Sequence, residues 1–169
     1  NAERLLAGNG TTQFIYSIPQ VLKTRRALIA GPTYADYADA CNLQHVPTTI
    51  LMAAEADDFQ PDLRRLERKL ADTDTVFLCN PNNPTGAVMS HLRLLDVARL
   101  AKKHDLLVIS DEIYDRLVYG TEHTCFAALP GMRQRTVLLG GFSKAYAMTG
   151  WRIGYAAAPA EILAAMRKV

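Results

Sequence analysis

The stretch Thr75-Val76-Phe77-Leu78-Cys79, broken by Asn80-Pro81-Asn82-Asn83-Pro84-Thr85-Gly86 and followed by a second apolar run, Leu106-Leu107-Val108-Ile109-Ser110, decides the fold. Each run is strand-length and apolar without alternation, the pattern of a strand covered on both faces. Between them Leu94, Leu95, Ala98 and Ala101 recur at helical spacing from a start near Ser90. Strand, helix and strand in that order form a parallel unit whose helix packs across the sheet.

Outward from this unit the alternation continues. Besides 75–79 and 106–110, strands are predicted at 27–30, 48–52, 136–139 and 153–157. Helices are predicted over 12–22 and, from Leu63, Leu66 and Leu70, after Pro61. Residues 1–6 read as helix or pre-turn, and 161–169 as part of a helix. The expectation is an α/β domain with a mostly parallel central sheet and flanking helices, with no internal repeat, linker or domain boundary.

The 169 residues are 49% apolar and 21% charged, with a net charge of +2. That composition suits a globular protein and gives no electrostatic case for nucleic acid or an anionic membrane as partner. No apolar run approaches a membrane span, and no basic and apolar leader opens the sequence. Cys41, Cys79 and Cys125 lie far apart without metal-binding spacing, so they read as reduced core residues of a cytoplasmic protein.

In such sheets, ligands bind beyond the carboxyl ends of the strands. Four unusual segments fall at such places. Gly8-Asn9-Gly10-Thr11-Thr12 leads into a helix whose free N–H groups could hold a phosphate, although taken alone the segment reads more readily as a plain turn with a threonine cap. Residues 80–86 form a stiff turn carrying three asparagine amides. Ser110-Asp111-Glu112-Ile113-Tyr114 delivers a carboxylate to the sheet edge, where it could keep a cationic nitrogen protonated, ligate a metal or lie in solvent. Gly140-Gly141-Phe142-Ser143-Lys144 is followed by Thr149-Gly150-Trp151-Arg152. A lysine desolvated in such a loop can add to an aldehyde, and the arginine fork suits a phosphate.

Together, residues 80–86, 111–114 and 142–155 closely resemble the class I/II aminotransferases, enzymes of fold type I that use pyridoxal 5′-phosphate (PLP). The resemblance covers essentially the whole chain, and residues 142–155 are its most specific part. It implies that the chain is the PLP-binding large-domain core, 1–169, without the N-terminal segment and C-terminal small domain of the family. Lys144 would bond covalently to the cofactor and carry protons, Asp111 would pair with the pyridine nitrogen, and Asn83 and Tyr114 would hydrogen-bond the ring's phenolic oxygen. Gly10, Thr11, Ser143 and Arg152 would take part in binding the cofactor, chiefly its phosphate, and Tyr34 would stack on the ring. Catalysis would rest on Lys144, Asp111 and Tyr114, with no metal. One departure is Gly141, where many relatives carry a phosphate-binding serine.

The implied reaction moves an amino group between an aspartate-like amino acid and a 2-oxo acid, in a cytoplasmic homodimer when full length. Without the small-domain arginine that clamps the substrate, residues 1–169 alone are expected to be inactive or weakly active. Residues 7–16 are more similar to the threonine-phosphate decarboxylase and histidinol-phosphate aminotransferase branch. An aminotransferase-like effector domain of a transcription regulator is the non-enzyme alternative.

Overall fold

The computed structural model describes residues 2–169. Seven strands form one sheet in the order β1-β7-β6-β5-β4-β2-β3. They are β1 (Leu5–Gly8), β2 (Ala27–Gly31), β3 (Thr48–Met52), β4 (Thr75–Cys79), β5 (Leu107–Asp111), β6 (Thr136–Gly141) and β7 (Gly154–Ala157). Strands β2 to β6 run parallel, whereas β7 is antiparallel to both β6 and β1. The helices are α1 (Gly10–Leu22), α2 (Asp36–Leu43), α3 (Leu63–Arg68), α4 (His91–Lys103) and α5 (Ala160–Met166).

Successive side chains of a strand point to opposite faces, and this divides the apolar strands between two cores. Phe77, Cys79, Ile109, Val137 and Leu139 pack with Phe14, Ile15 and Ile18 of α1, Tyr37, Ala40 and Cys41 of α2, and Leu163 and Met166 of α5. Val76, Leu78 and Val108 face the other way, onto Leu66 of α3 and Leu94, Val97 and Ala98 of α4. A sheet covered by helices on both faces explains why the central strands read as continuous apolar runs. The edge strand β3 does not share that cover, and Ile50 and Met52 are half exposed.

Several sequence-based boundaries shift. Leu5 and Leu6, read as the end of a helix or pre-turn segment, and Gly8, read as part of a turn, instead belong to β1, because pairing with the antiparallel edge of β7 satisfies a backbone too short to show a period of its own. Helix α2 has no counterpart among the predicted elements; it is eight residues long, with a narrow apolar face at Tyr37, Ala40 and Cys41. Leu70 lies beyond α3 yet is buried, so its spacing reported burial rather than helix. Asp111 is the last residue of β5 instead of following it, and Gly140 and Gly141 end β6. Cys125 is only partly buried, unlike Cys41 and Cys79.

Candidate active site

The carboxyl ends of β4, β5 and β6 and the start of α1 open into one cleft of about 170 Å³. All nine residues singled out from the sequence line it: Gly10, Thr11, Tyr34, Asn83, Asp111, Tyr114, Ser143, Lys144 and Arg152. Thr12, Tyr37, Cys79, Ile113 and Thr149 complete the wall. Residues far apart in sequence therefore meet because each follows, or closes, a strand of the same sheet.

The floor is Asp111, only 3% exposed. Its Oδ2 accepts a 2.8 Å hydrogen bond from the Tyr37 hydroxyl and its Oδ1 a 3.2 Å bond from the Ile113 amide. Burial pushes its pKa up to about 6; the two hydrogen bonds pull the other way, and the Glu112 charge adds a smaller rise. Among the described residues Asp111 belongs to no ion pair. A buried carboxylate with no cation beside it is a place for a cationic ligand atom. Tyr37, held by stacking on Phe77 at 5.5 Å between centroids, is the contact that sequence reading missed. Tyr34 lies three residues earlier, ahead of α2, edge-on to Tyr37 at 5.8 Å.

At the other end, α1 begins without a side-chain cap from Asn9, which leaves first-turn amides without the usual intrahelical or capping partner. Arg152, in the left-handed region at φ 51°, donates from Nη1 to the Thr149 carbonyl at 3.2 Å and forms no ion pair among the described residues. Its Nη2 lies so near Gly10 that a Cβ there would be 3.2 Å away. An uncapped helix start beside an uncompensated guanidinium is an anion site.

Close backbone approach builds this corner. A Cβ on Gly154 would lie 2.5 Å from the Gly10 carbonyl carbon and 2.7 Å from the Thr11 nitrogen. Gly154→Ala should therefore push the start of α1 off β7 and lower stability by about 1–3 kcal/mol, the usual scale of overpacking. A urea titration measures it, and a midpoint equal to that of the parent would show that the loop yields freely. Gly141 is less tightly enclosed: its Cβ would meet the tip of the Ile113 side chain, Cδ1, at 2.8 Å and the Ile153 carbonyl at 3.2 Å. Glycine at 141 supplies no hydroxyl, so the uncapped α1 amides and Arg152 are the main anion donors of this corner.

The asparagine turn divides its labour. Asn80 Oδ1 accepts from the Met89 amide at 2.8 Å, and Asn82 Oδ1 accepts from the Thr85 hydroxyl at 2.8 Å, so both hold the turn itself. Asn83 is the one that lines the cleft. Cys79 lines it too, but burial pushes its thiol up to about 12, so it serves as a protonated wall rather than a nucleophile. Lys144 departs from expectation in one respect: within residues 1–169 it is exposed instead of desolvated, like most of the 142–152 loop around it. Its amine lies 5.7 Å from the centre of the Tyr114 ring. No group of three or more metal-ligating side chains occurs among the described residues.

The family model for aminotransferase class I and II matches residues 1–169. A bifunctional aspartate aminotransferase and glutamate/aspartate-prephenate aminotransferase of Petunia hybrida is 41% identical over 99% of this chain and 36% of its own length. The aromatic aminotransferase of Pyrococcus horikoshii OT3 superposes with a TM-score of 0.94 at 34% identity, over 98% of this chain and 45% of that one. The Thermus thermophilus aspartate aminotransferase with maleate gives 0.93 at 32%, over 98% and 44%. The chain thus spans less than half the length of these relatives. With this fold, this cleft and a match along its full length, the chain belongs to the class I and II aminotransferases.

Proposed function

We propose that residues 1–169 form the PLP-binding core of an aminotransferase that moves an amino group between an aspartate-like amino acid and a 2-oxo acid. The observation that carries this reading is the convergence of Lys144, Asp111 and the Arg152 corner on one cleft. The residues fit the cofactor at both ends: the anion site matches a phosphate, and the unpaired carboxylate of Asp111 matches a cationic ring nitrogen. When bound, PLP supplies an aldehyde that captures amines and an electron-poor ring that stabilises negative charge at the substrate Cα. Lys144 would supply the amine that anchors the cofactor and the group that moves a proton at the substrate Cα. Asp111 would keep the ring nitrogen charged, Asn83 and Tyr114 would donate to the ring's oxygen, and Tyr34 would cover its face. Gly10, Thr11, Ser143 and Arg152 hold the phosphate.

The substrate class is supported by the aspartate, asparagine and aromatic aminotransferases among the relatives, which favour this reading over a phosphate-substrate decarboxylase, a histidinol-phosphate aminotransferase or a regulator's effector domain. Arg116 and Arg133 do not line the cleft; the arginine that does is Arg152, assigned here to the phosphate. A homodimer in the cytoplasm is the assembly and location we infer; buried Cys41 and Cys79, unpaired in disulfides, agree with a reducing compartment. No helix among the described residues is long and apolar enough to cross a membrane.

The test uses the full-length polypeptide containing these residues, loaded with PLP and given 15N-aspartate and 2-oxoglutarate. Label should appear in glutamate, whereas release of carbon dioxide without amino transfer would overturn the reading. Arg152→Ala should weaken PLP binding about 10- to 100-fold, the range of charge-assisted hydrogen bonds lost. Equilibrium dialysis reads that change, and an unaltered dissociation constant would remove Arg152 from the phosphate site.

A further inference from the structure

The mechanism above leaves one buried titratable cluster unused. The Glu112 carboxylate, 5% exposed, accepts from the Ser110 hydroxyl at 2.8 Å and from the Phe126 amide at 2.9 Å, and contacts His123 Nε2 at 2.7 Å. The His123 side chain is 11% exposed, and its Nδ1 has no hydrogen-bond partner, so the Nε2 contact is the ring's one polar tether.

These three contacts join places that matter. Ser110 belongs to β5, beside Asp111, and Phe126 is buried in the core cluster beneath α4. Between Glu112 and Phe126 runs an irregular segment that carries Tyr114 into the cleft and is otherwise largely in solvent, with Tyr119 85% exposed. A single carboxylate therefore ties the start of the segment to its end, and closing the segment into a loop narrows the conformations open to the backbone between them. The Asp115 amide donates to the Glu112 carbonyl at 3.0 Å and the Leu117 amide to the Tyr114 carbonyl at 2.8 Å, which passes the restraint on to Tyr114.

We propose that Glu112 and His123 act as a clasp whose function is to position Tyr114 against the cofactor. His123 is a positioning residue: it does not line the cleft and acts through Glu112. The inference rests on the cofactor reading for its catalytic consequence, but the clasp itself can be tested without cofactor.

The amide nitrogen of asparagine falls where Nδ1 of histidine lies, and that of glutamine where Nε2 lies. His123→Asn should therefore break the tether and His123→Gln should restore it. In the cofactor-free full-length protein, trypsin cleavage after Arg116, whose side chain is 71% exposed, should quicken about tenfold in His123→Asn, because cleavage follows the population of the open segment. Cleavage after Arg68, in α3, should not change. In the loaded enzyme kcat should fall about tenfold or more with KM within about twofold, since a displaced Tyr114 impairs the chemical step rather than binding. His123→Gln should return both readouts to within about twofold of the parent.

Equal acceleration at Arg116 and Arg68 would mean general destabilisation and overturn the clasp. Faster cleavage at Arg116 with an unchanged kcat would overturn the positioning of Tyr114. A parent that binds no PLP would sink the cofactor reading while proteolysis still judged the clasp. If His123→Asn does not fold, His123→Gln decides alone: parent-like values support the role of the Nε2 contact, and a tenfold loss of kcat in a stable protein refutes it.

Discussion

Lys144→Ala in the full-length polypeptide is expected to lower the rate of amino transfer by roughly 10³- to 10⁴-fold or more, because it removes both the covalent anchor and the base. Cofactor binding should survive in weakened form, since Arg152, Asp111 and the α1 amides remain in the cleft. The chemistry can also be located directly. Borohydride reduction of the loaded parent should fix the cofactor on Lys144 and block trypsin there, so that residues 136–152 appear as one peptide carrying the added mass. Label on any other lysine, or a Lys144→Ala enzyme within tenfold of the parent, would sink the assignment. The outcome is specific because Lys144 is the lysine that lines the cleft; Lys103, for example, is engaged with Glu67 at 2.7 Å on the surface.

What the sequence reveals about this site follows from how locally each feature is encoded. Lys144 and Arg152 lie eight positions apart in one uninterrupted motif, and Asp111 ends an unmistakable apolar run, so a single reading places them at strand ends. Tyr37 was not legible, because a tyrosine three residues after Tyr34 looks like one more apolar residue until folding brings it 2.8 Å from a carboxylate 74 positions away. His123 was invisible for a related reason: a lone histidine in an irregular stretch has no period or partner until Glu112 is seen beside it. Strand β1 depends wholly on β7, 150 residues later in sequence, and no local pattern carries that information.

Asp111→Asn should separate what the site needs from what the fold prefers. Removing a charge partner buried beside the ring nitrogen should cost about 3–5 kcal/mol in the proton-transfer step, roughly two to four orders of magnitude in rate. Stability should move the opposite way in the cofactor-free protein. The carboxyl has a usual value of 3.8 and is pushed up to about 6 by burial. Between those two values the unfolded chain has released the proton while the folded one still binds it, so this group's contribution to stability falls as pH rises through that window. Above pH 6 both forms are ionised, and the folded protein bears a penalty on the order of 3 kcal/mol for its buried charge. Asparagine carries no such penalty, and the Tyr37 hydroxyl can turn to accept from an amide as readily as it donates to a carboxylate. Urea titrations of the cofactor-free proteins should therefore find Asp111→Asn at least as stable as the parent at pH 7.5, with the advantage gone below about pH 4. A variant that is less stable at pH 7.5 and equally fast in amino transfer would mean that Asp111 serves the fold rather than the cofactor. The expected pattern, a gain in stability with a loss of rate, is that of a carboxylate held in the floor of the cleft for a cation that the protein itself does not provide.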